Sequence, residues 1–220
     1  MKNKIVSSEY ALEKIQTRDS VMIGGFMACG TPEMLVDELL KKKVKELIVI
    51  GNDSGTPGVG IGKLVKEGVI HKLIVSHIGL NRETGERMSR GEIDVELIPQ
   101  GTLAEKIRAG GVGLGGILTK TGLGTDVEKG KQIIRIDQED YLLETPLKAK
   151  FALIYGSIVD KFGNVYLNET TRNFNPLMAM AAETVVVEAE KVVDIGEINP
   201  NDVMIPGIFI DYIVEGKSHG

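Results

Sequence analysis

The residues best suited to ligand chemistry in this sequence form a glycine-rich segment near the N-terminus. Residues 24–32 read Gly-Gly-Phe-Met-Ala-Cys-Gly-Thr-Pro and follow an apolar run. Glycine lets a backbone approach a ligand closely, and the helix predicted next would offer unpaired N–H groups to an anion. The segment lacks the Gly-Lys-Ser/Thr of a P-loop and the spacing of a dinucleotide fingerprint. We interpret residues 24–30, the glycine loop, as a ligand-binding loop; the alternative is a tight strand-to-helix turn without a ligand.

Two further segments place amide side chains after apolar runs. Asn52, within residues 51–55, could hydrogen-bond a ligand amide or carboxylate, but Asn-Asp-Ser-Gly is also ordinary turn chemistry. Gln100, within residues 98–102, could donate to a developing oxyanion, with capping of the next helix as the alternative. In open α/β sheets, ligands bind beyond the carboxyl ends of strands, and each segment follows a predicted strand.

No convincing nucleophile accompanies these segments. Cys29 has no base near it in sequence and stands among apolar residues, so we expect a small packed side chain, although a helix N-terminus could activate a thiol. Glu92, Asp94 and Glu96 would share one face of a strand. Paired carboxylates can perform acid–base catalysis, but a solvated edge strand explains them better.

Residues 109–125 contain seven glycines in seventeen positions. No packed helix or long strand tolerates that density without a reason, because each glycine costs backbone entropy, so we interpret the segment as a shaped loop near a site. A Gly-X-Gly-X-X-Gly match occurs at Gly111, Gly113 and Gly116. It follows a helical pattern where a nicotinamide site requires a strand, which argues against such a site.

The remaining pattern predicts the elements that would position these segments. Apolar runs predict strands at residues 21–23, 47–50, 73–76, 95–98, 133–136, 152–155 and 185–187. Helical patterns occur at residues 9–15, 31–43, 62–67, 103–109 and 177–182. In the helix over 31–43, Thr31 could be the N-cap and Pro32 suits the first turn. Alternation of apolar strands with helices predicts an α/β fold with an open, mostly parallel sheet and flanking helices.

Composition and charge exclude several classes of protein. The chain has 220 residues, 42% hydrophobic and 26% charged, which predicts one globular domain over residues 1–220. A formal net charge of −5, with residues 41–43 as the only basic run, argues against nucleic-acid binding. One cysteine and the lack of a signal-like apolar segment favour the cytoplasm over a membrane or secreted location. Three histidines and one cysteine predict no metal site.

Six short blocks together match a known family. They are Gly24-Gly25-Phe26-x-x-x-Gly30-x-Pro32, Gly51-Asn52-Asp53, Ser76-His77-Ile78-Gly79, Pro99-Gln100-Gly101-Thr102-Leu103, Ile107-Arg108-Ala109-Gly110-Gly111 and Arg172-Asn173-Phe174-Asn175-Pro176. With these blocks the chain, from about residue 4 to residue 214, resembles the α (A) subunit of class I CoA-transferases, especially the acetate/butyrate–acetoacetate type. One departure is Thr17-Arg18, where the family has Asp-Gly; it affects a turn and leaves the site unchanged.

The resemblance implies half of an enzyme. In the family, a glutamate in a Ser-Glu-Asn-Gly motif of the β subunit carries the reaction, and this sequence has no such motif. The implied reaction is ping-pong transfer of CoA between an acyl-CoA and a free short-chain carboxylate, through a glutamyl-CoA thioester on the partner. CoA is then a substrate, no tightly bound cofactor is expected, and the expected assembly is α2β2. The family fold is shared with some sugar-phosphate isomerases.

The resemblance also implies roles for residues of this chain. Gln100 would donate to the oxyanion, and Asn52 would contact the acyl or CoA end near the partner's glutamate. The CoA site would be lined by Gly24, Gly25, Phe26, Met27, Ala28, Cys29 and Gly30, with no metal. Two alternatives stay open: a stand-alone sugar-phosphate isomerase, and a non-catalytic module that binds CoA or a nucleotide.

Overall fold

The computed structural model describes residues 3–216. Its α-helices are α1 (Ser8–Leu12), α2 (Glu33–Lys41), α3 (Ile61–Lys66), α4 (Arg82–Ser89), α5 (Gln100–Gly111) and α6 (Asn175–Met180). Its strands are β1 (Ser20–Ile23), β2 (Leu47–Ile50), β3 (Ile70–Val75), β4 (Asp94–Leu97), β5 (Ile117–Thr119), β6 (Ile133–Ile136), β7 (Glu139–Glu144), β8 (Ala149–Asp160), β9 (Val165–Tyr166), β10 (Ala182–Val193) and β11 (Tyr212–Glu215).

Eight of these strands form one mainly parallel sheet. Its order is β11-β10-β8-β1-β2-β3-β4, and β9 joins β8 in the antiparallel direction. Parallel neighbours need crossover connections, which α2, α3 and α4 supply between β1, β2, β3 and β4. The predicted open, mostly parallel sheet with flanking helices is therefore confirmed.

The central strand β1 shows why its residues form a continuous apolar run. Val21 and Ile23 face one core, where they meet Leu35 of α2. Met22 faces the opposite core, together with Leu103 of α5. Side chains alternate between the two faces of a strand, and the three β1 residues are all 0% exposed. Burial on both faces favours an uninterrupted apolar strand.

A second, smaller sheet is antiparallel and has the order β5-β7-β6. The strand predicted at residues 133–136 is therefore real, but it belongs to this sheet and not to the parallel one. The small sheet is tied to α5 by a buried ion pair, in which the ammonium of Lys106 lies 2.8 Å from the carboxylate of Glu144. Lys131 also contacts that carboxylate.

The interpretation of residues 109–125 as one shaped loop near a site is wrong. Gly110 and Gly111 end α5, and β5 occupies part of the rest. These two glycines line a cavity with the first residues of β1, β8 and β10, so they lie at the amino edge of the sheet, away from the glycine loop. They serve packing: a Cβ on Gly110 would lie 2.2 Å from the carbonyl oxygen of Leu147.

The start of α2 also differs from the prediction. Its N-cap is Pro32, one residue later than the predicted Thr31, and it has no side-chain cap from its own segment. Glu188 of β10 takes that role instead, since its carboxylate accepts the N–H of Leu35 at 3.0 Å. A carboxylate at a helix N-terminus satisfies a free donor and interacts favourably with the helix dipole.

The other helices show what periodicity detects and what it misses. The predicted helices at 9–15, 62–67 and 177–182 correspond to α1, α3 and α6, within three residues at each end. The helix predicted at 103–109 is longer and begins at Gln100. Helix α4 was not predicted, because Arg82–Ser89 contains one apolar side chain, Met88, and so has no hydrophobic periodicity. Within residues 3–216, no helix has the length and apolar character needed to cross a membrane.

Candidate functional site

The glycine loop forms a small hairpin beyond the carboxyl end of β1. The N–H of Gly24 donates to the carbonyl of Leu153 in β8, which fixes the start of the loop. Phe26 and Cys29 then exchange backbone hydrogen bonds of 3.1 and 2.9 Å. Met27 (φ 47°) and Ala28 (φ 68°) form the tip between them. Positive φ at both positions of a two-residue hairpin is typical of a type I′ turn, in which glycine or asparagine is preferred.

The two non-glycine residues at the tip carry strain. A side chain in the left-handed region costs on the order of 1–3 kcal/mol, so it persists only where surrounding contacts hold it. Met27 and Ala28 are the middle of a segment that the sequence presents as the ligand loop. Hydrogen bonds from both sides of the loop stabilise this conformation.

Asp53 holds the loop from the side of β2. It is 5% exposed, and one carboxylate oxygen accepts the N–H of Met27 at 2.9 Å. The same oxygen accepts the side-chain N–H of Asn52 at 2.8 Å, and the other accepts the N–H of Gly55 at 2.9 Å. Asp53 therefore fastens the segment after β2 to the tip of the glycine loop.

Asn175 holds the loop from the opposite side. Its side chain is fully buried and donates to the carbonyls of Gly30 and Thr171 at 3.0 and 2.9 Å. Its carbonyl oxygen accepts the N–H of Tyr155 at 3.0 Å. At Gly24, a Cβ would lie 1.9 Å from this same oxygen, so only glycine leaves room for the amide. The first glycine of the loop is thus explained by packing against Asn175.

Asn173 supports the hairpin nearer its tip. Its amide donates to the carbonyl of Cys29 at 3.0 Å and to that of Thr170 at 2.8 Å. Sequence reasoning found Asn173 and Asn175 only as part of a family block and missed Asp53 as an organiser. The sequence feature that could have identified Asp53 is a carboxylate in a glycine-containing turn directly after a buried strand.

The outer face of the hairpin is open and mainly apolar. Phe26 and Met27 are 38% and 54% exposed, and they line a groove of about 600 Å³ together with Cys29, Thr170, Arg172 and Asn173. The expectation that Cys29 is a packed side chain is wrong, because Cys29 is exposed. It closes a surface hairpin, and its thiol lies 3.1 Å from the hydroxyl of Thr170.

Asn52 lies beneath the loop and not on its open face. It is 3% exposed, and its amide nitrogen is bound to Asp53. Its backbone carbonyl accepts the hydroxyl of Ser76, which follows β3, at 2.7 Å. The space enclosed by Gly25, Asn52, Asp53 and neighbouring residues is about 10 Å³, close to the size of one water molecule. In this state Asn52 supports the loop, and its contact with a ligand stays a prediction.

Gln100 is the first residue of α5 and is exposed. The N-cap is Pro99, and no side chain caps this helix, so the alternative of Gln100 as a helix cap is not observed. Gln100 follows β4 whereas the glycine loop follows β1, three strands away along the same edge. At about 4.8 Å per strand, the ends of β1 and β4 are about 14 Å apart along the sheet. A row of this length can accommodate an extended ligand.

The carboxylates of the edge strand β4 are paired with a cation. Asp94 and Glu96 lie 3.9 and 2.7 Å from the ammonium of Lys72, as a solvated edge strand predicts. The described part of the chain contains no group of three His, Cys, Asp or Glu side chains placed to hold a metal ion.

Glu188 is the one strongly perturbed carboxyl beside the glycine loop, and sequence reasoning missed it. Burial, with Glu33 and Asp37 nearby, raises the pKa of Glu188 to about 7, although the N–H groups of Leu35 and Met34 oppose this. The sequence feature that could have identified Glu188 is a carboxylate within the apolar strand β10. Perturbed pKa values cluster at functional sites, but here the helix cap accounts for the buried group.

Comparison with known proteins agrees with the sequence blocks. The family model described as Coenzyme A transferase matches residues 6–216. The chain is 52% identical to the acetoacetyl-CoA:acetate/butyrate CoA transferase alpha subunit of Clostridium acetobutylicum, over 98% of this chain and 99% of that protein. It is 47% identical to the acetate CoA-transferase subunit alpha of Escherichia coli K12, over 97% of each.

Solved structures share the fold. The glutaconate coenzyme A-transferase of Acidaminococcus fermentans matches with a TM-score of 0.84 at 18% identity, over 98% of this chain and 77% of that chain. An acyl-CoA transferase of Escherichia coli O157:H7, in a thioester complex with CoA, matches with a TM-score of 0.84 at 20% identity. This chain covers 49% of that longer one. At these identities the likeness concerns the fold.

Proposed function

From the premise that the chain belongs to the coenzyme A transferase family, we propose that it is the alpha subunit of a short-chain acyl-CoA:carboxylate CoA-transferase of the acetate/butyrate–acetoacetate type. The observation that carries this proposal is the 52% identity to an alpha subunit of that activity, which extends over 99% of the relative's length. The substrates are then an acyl-CoA thioester and a free short-chain acid. CoA enters as a substrate, and no other cofactor is required.

The partner is a beta subunit that carries the reacting glutamate, in an α2β2 assembly. Two relatives described above are themselves named as alpha subunits. The chain has no Ser-Glu-Asn-Gly motif. The two carboxylates beside the glycine loop have structural roles. Asp53 accepts three N–H groups, and Glu188 caps α2. Neither is free to attack a thioester.

The reaction then proceeds in balanced steps. The partner's glutamate attacks the thioester carbonyl and releases the CoA thiolate, which leaves an acyl–glutamyl anhydride. The thiolate attacks the glutamyl carbonyl of the anhydride, which releases the first carboxylate and leaves a glutamyl-CoA thioester. A second carboxylate attacks that thioester, and the steps run in reverse to give the new acyl-CoA and free glutamate.

This chain contributes binding and charge stabilisation. Gln100 donates its amide N–H to the oxyanion that develops on the thioester oxygen, an interaction worth about 3 kcal/mol in comparable sites. The glycine loop, from Gly24 to Gly30, lines the site for CoA, and Asn52 contacts its acyl end. Binding energy from the remote part of CoA is then available at the reacting thioester.

The location we propose is the cytoplasm. The single cysteine is exposed and unpaired within the described chain, which suits a reducing compartment. CoA thioesters and short carboxylates are also water-soluble substrates.

The experiment that tests the function is CoA exchange between acetoacetyl-CoA and acetate. The purified chain is assayed alone and after assembly with a beta subunit that carries Ser-Glu-Asn-Gly. Activity of the mixture alone supports the proposal. Isomerisation of a sugar phosphate by the isolated chain would favour the isomerase, and tight CoA binding without turnover in either sample would favour the binding module.

A further inference from the structure

The groove beside the glycine loop combines an apolar wall with a single cation. Phe26 and Met27 form the exposed apolar part, and Arg172 also lines the groove. The other polar groups of the groove have partners: the amide of Asn173 holds two carbonyls, and the hydroxyl of Thr170 meets the thiol of Cys29.

Arg172 differs from every other arginine of the chain. The other six each have a carboxylate within 4 Å: Arg18, Arg82, Arg87, Arg90, Arg108 and Arg135. Within residues 3–216, no carboxylate lies that close to the guanidinium of Arg172, although the residue is exposed on a protein with net charge −5. A cation without a counter-ion in the lining of an apolar groove is suited to an anionic ligand.

The position of Arg172 is fixed relative to the groove. It ends a short 3-10 helix, Glu169–Arg172, whose preceding residue Asn168 donates its N–H to the hydroxyl of Ser157 in β8 at 2.9 Å. The following residue, Asn173, donates to the carbonyl of Cys29 in the hairpin. The segment is thus fastened to the sheet on one side and to the glycine loop on the other.

We propose that Arg172 binds the carboxylate of the free acid substrate, whose short chain lies against Phe26 and Met27. This inference rests on the proposed function and names a residue for one of its two substrates. A planar guanidinium can donate two parallel N–H groups to a carboxylate, and the apolar side chains cover a few methylene groups. The groove therefore matches both parts of a short-chain acid.

Arg172 would distinguish between the two substrates of the reaction by their charge. The free acid is charged at neutral pH, whereas the acyl group of a thioester has a neutral carbonyl. Arg172 should therefore contribute to binding of the acid and not to that of the acyl group. The other source of anionic oxygen is a phosphate of CoA, which the apolar groove wall suits less well.

The test measures the KM of each substrate separately in the assembled enzyme. Arg172→Gln removes the charge and keeps an amide, and Arg172→Lys keeps the charge without the paired donors. We expect Arg172→Gln to raise the KM for acetate and acetoacetate by about 10- to 100-fold, the range of a lost charged hydrogen bond. The KM for the acyl-CoA should stay within about twofold, and Arg172→Lys should recover part of the loss.

The matched control is Arg135→Gln, an exposed arginine in β6 of the small sheet. It should leave both KM values unchanged, and size-exclusion chromatography shows whether each variant assembles. A rise confined to the KM for acyl-CoA would overturn the proposal in favour of a CoA phosphate. Unchanged KM values would remove Arg172 from substrate binding. These two results can be obtained only with an active wild-type enzyme, so they reject the role of Arg172 and leave the proposed function intact. A wild-type enzyme that does not transfer CoA rejects both the proposed function and the role of Arg172.

Discussion

Two glycine-rich regions lie at opposite edges of the parallel sheet, and they use glycine for different purposes. In the glycine loop, at the carboxyl edge, Met27 and Ala28 are held at positive φ by buried polar side chains. At the amino edge, Gly110 and Gly111 let α5 pack closely against neighbouring backbone and side chains. Glycine density is similar in both, so density alone does not identify a site. Strained residues held by buried polar groups distinguish the edge at which we propose the site.

The two regions also contain contrasting buried carboxylates. Glu188, beside the glycine loop, has no cationic partner within the described chain, and its pKa is raised to about 7. Glu144, the last residue of β7 in the small sheet, is buried as well, but hydrogen bonds from Lys106 and Lys131 lower its pKa. The first carboxylate is stabilised by backbone N–H groups at a helix N-terminus, and the second by two ammonium groups. The contributions of Glu188 and Glu144 to the free energy of unfolding should therefore change in opposite directions with pH.

The largest effect is expected from Gly24→Ala. The added methyl would lie 1.9 Å from the buried amide oxygen of Asn175, so the loop must shift. A misplacement of about 1 Å in a site can cost about 100-fold in activity. The control is Gly115→Ala at the other edge, where no atom lies within 4 Å of the new Cβ. Steady-state kinetics of both assembled variants check this prediction, and equal activity of the two would contradict it.

A double variant, Gly24→Ala with Asn175→Ala, tests the contact between these two residues directly. Asn175→Ala removes the oxygen that Gly24→Ala would meet, so the two changes should be non-additive. Asn175→Ala alone should lower the melting temperature, because it leaves two carbonyls and one N–H without their buried partner. Combined melting and activity losses equal to the sum of the single losses would argue against this clamp.

The next effect compares the two ends of helix α5. Gln100→Ala, at the carboxyl edge, should lower kcat by about 100-fold with little change in melting temperature, since the exposed side chain is the proposed oxyanion donor. Gly111→Ala, at the amino edge, places a Cβ 2.6 Å from that of Met180. It should lower the free energy of unfolding by about 2 kcal/mol, with kcat unchanged. An unchanged kcat in Gln100→Ala would remove Gln100 from the oxyanion role.

A smaller effect concerns pH and Glu188. Because the folded pKa is about 7 and the reference value is 4.5, the folded state holds the proton more tightly between these values. Stability from this group is therefore full below pH 4.5 and falls as the pH rises through about 7. Glu188→Gln keeps an oxygen for the Leu35 N–H and removes the titration. Between pH 5 and 8, wild type should lose about 2–3 kcal/mol more than the variant.

Glu144 provides the comparison of opposite sign. Its lowered pKa gives stability that is present above the unfolded value of 4.5 and is lost as the pH falls through the folded value. Urea unfolding of wild type, Glu188→Gln and Glu144→Gln across pH 4 to 8 separates the two contributions. Parallel pH profiles of wild type and Glu188→Gln would contradict the account of Glu188.

The smallest effect is expected from Cys29→Ser. The thiol is exposed and contacts the hydroxyl of Thr170, a contact that serine can keep. Turnover should change by about twofold or less, since no step of the reaction uses the thiol. Complete inactivation, measured in the assembled enzyme, would place the thiol in the chemistry.

The fold was largely predictable because its strands are buried on both faces. Continuous apolar runs such as residues 21–23 predict buried strands, and apolar periodicity predicts a helix such as α2. Helix α4 was not predictable from periodicity, because its eight residues include one apolar side chain. The cap of α2 could not be read locally either, since Glu188 comes from a strand more than 150 residues away in sequence.

The placement of the candidate residues at strand ends was predictable, and their contacts were less so. Strand-end placement located the glycine loop, Asn52 and Gln100 at one edge, as the sheet order requires. The exposure of Cys29 and the burial of Asn52 depend on a hairpin held by Asp53 and by Asn173. Those contacts join residues that are 26 and 144 positions apart in sequence, and no local pattern encodes them. The residues alone showed no convincing nucleophile, and the family resemblance supplied an explanation, which is that the reacting glutamate is expected on the partner subunit.

The most direct test of this account is the covalent intermediate. The assembled enzyme is incubated with acetyl-CoA and no acceptor acid, denatured, and each subunit is weighed by intact-mass spectrometry. Because this chain binds and positions without reacting, we expect the partner subunit to gain CoA with loss of one water, and this chain to keep its mass. A CoA adduct on this chain would contradict the central claim and would mean that one of its own side chains is the nucleophile.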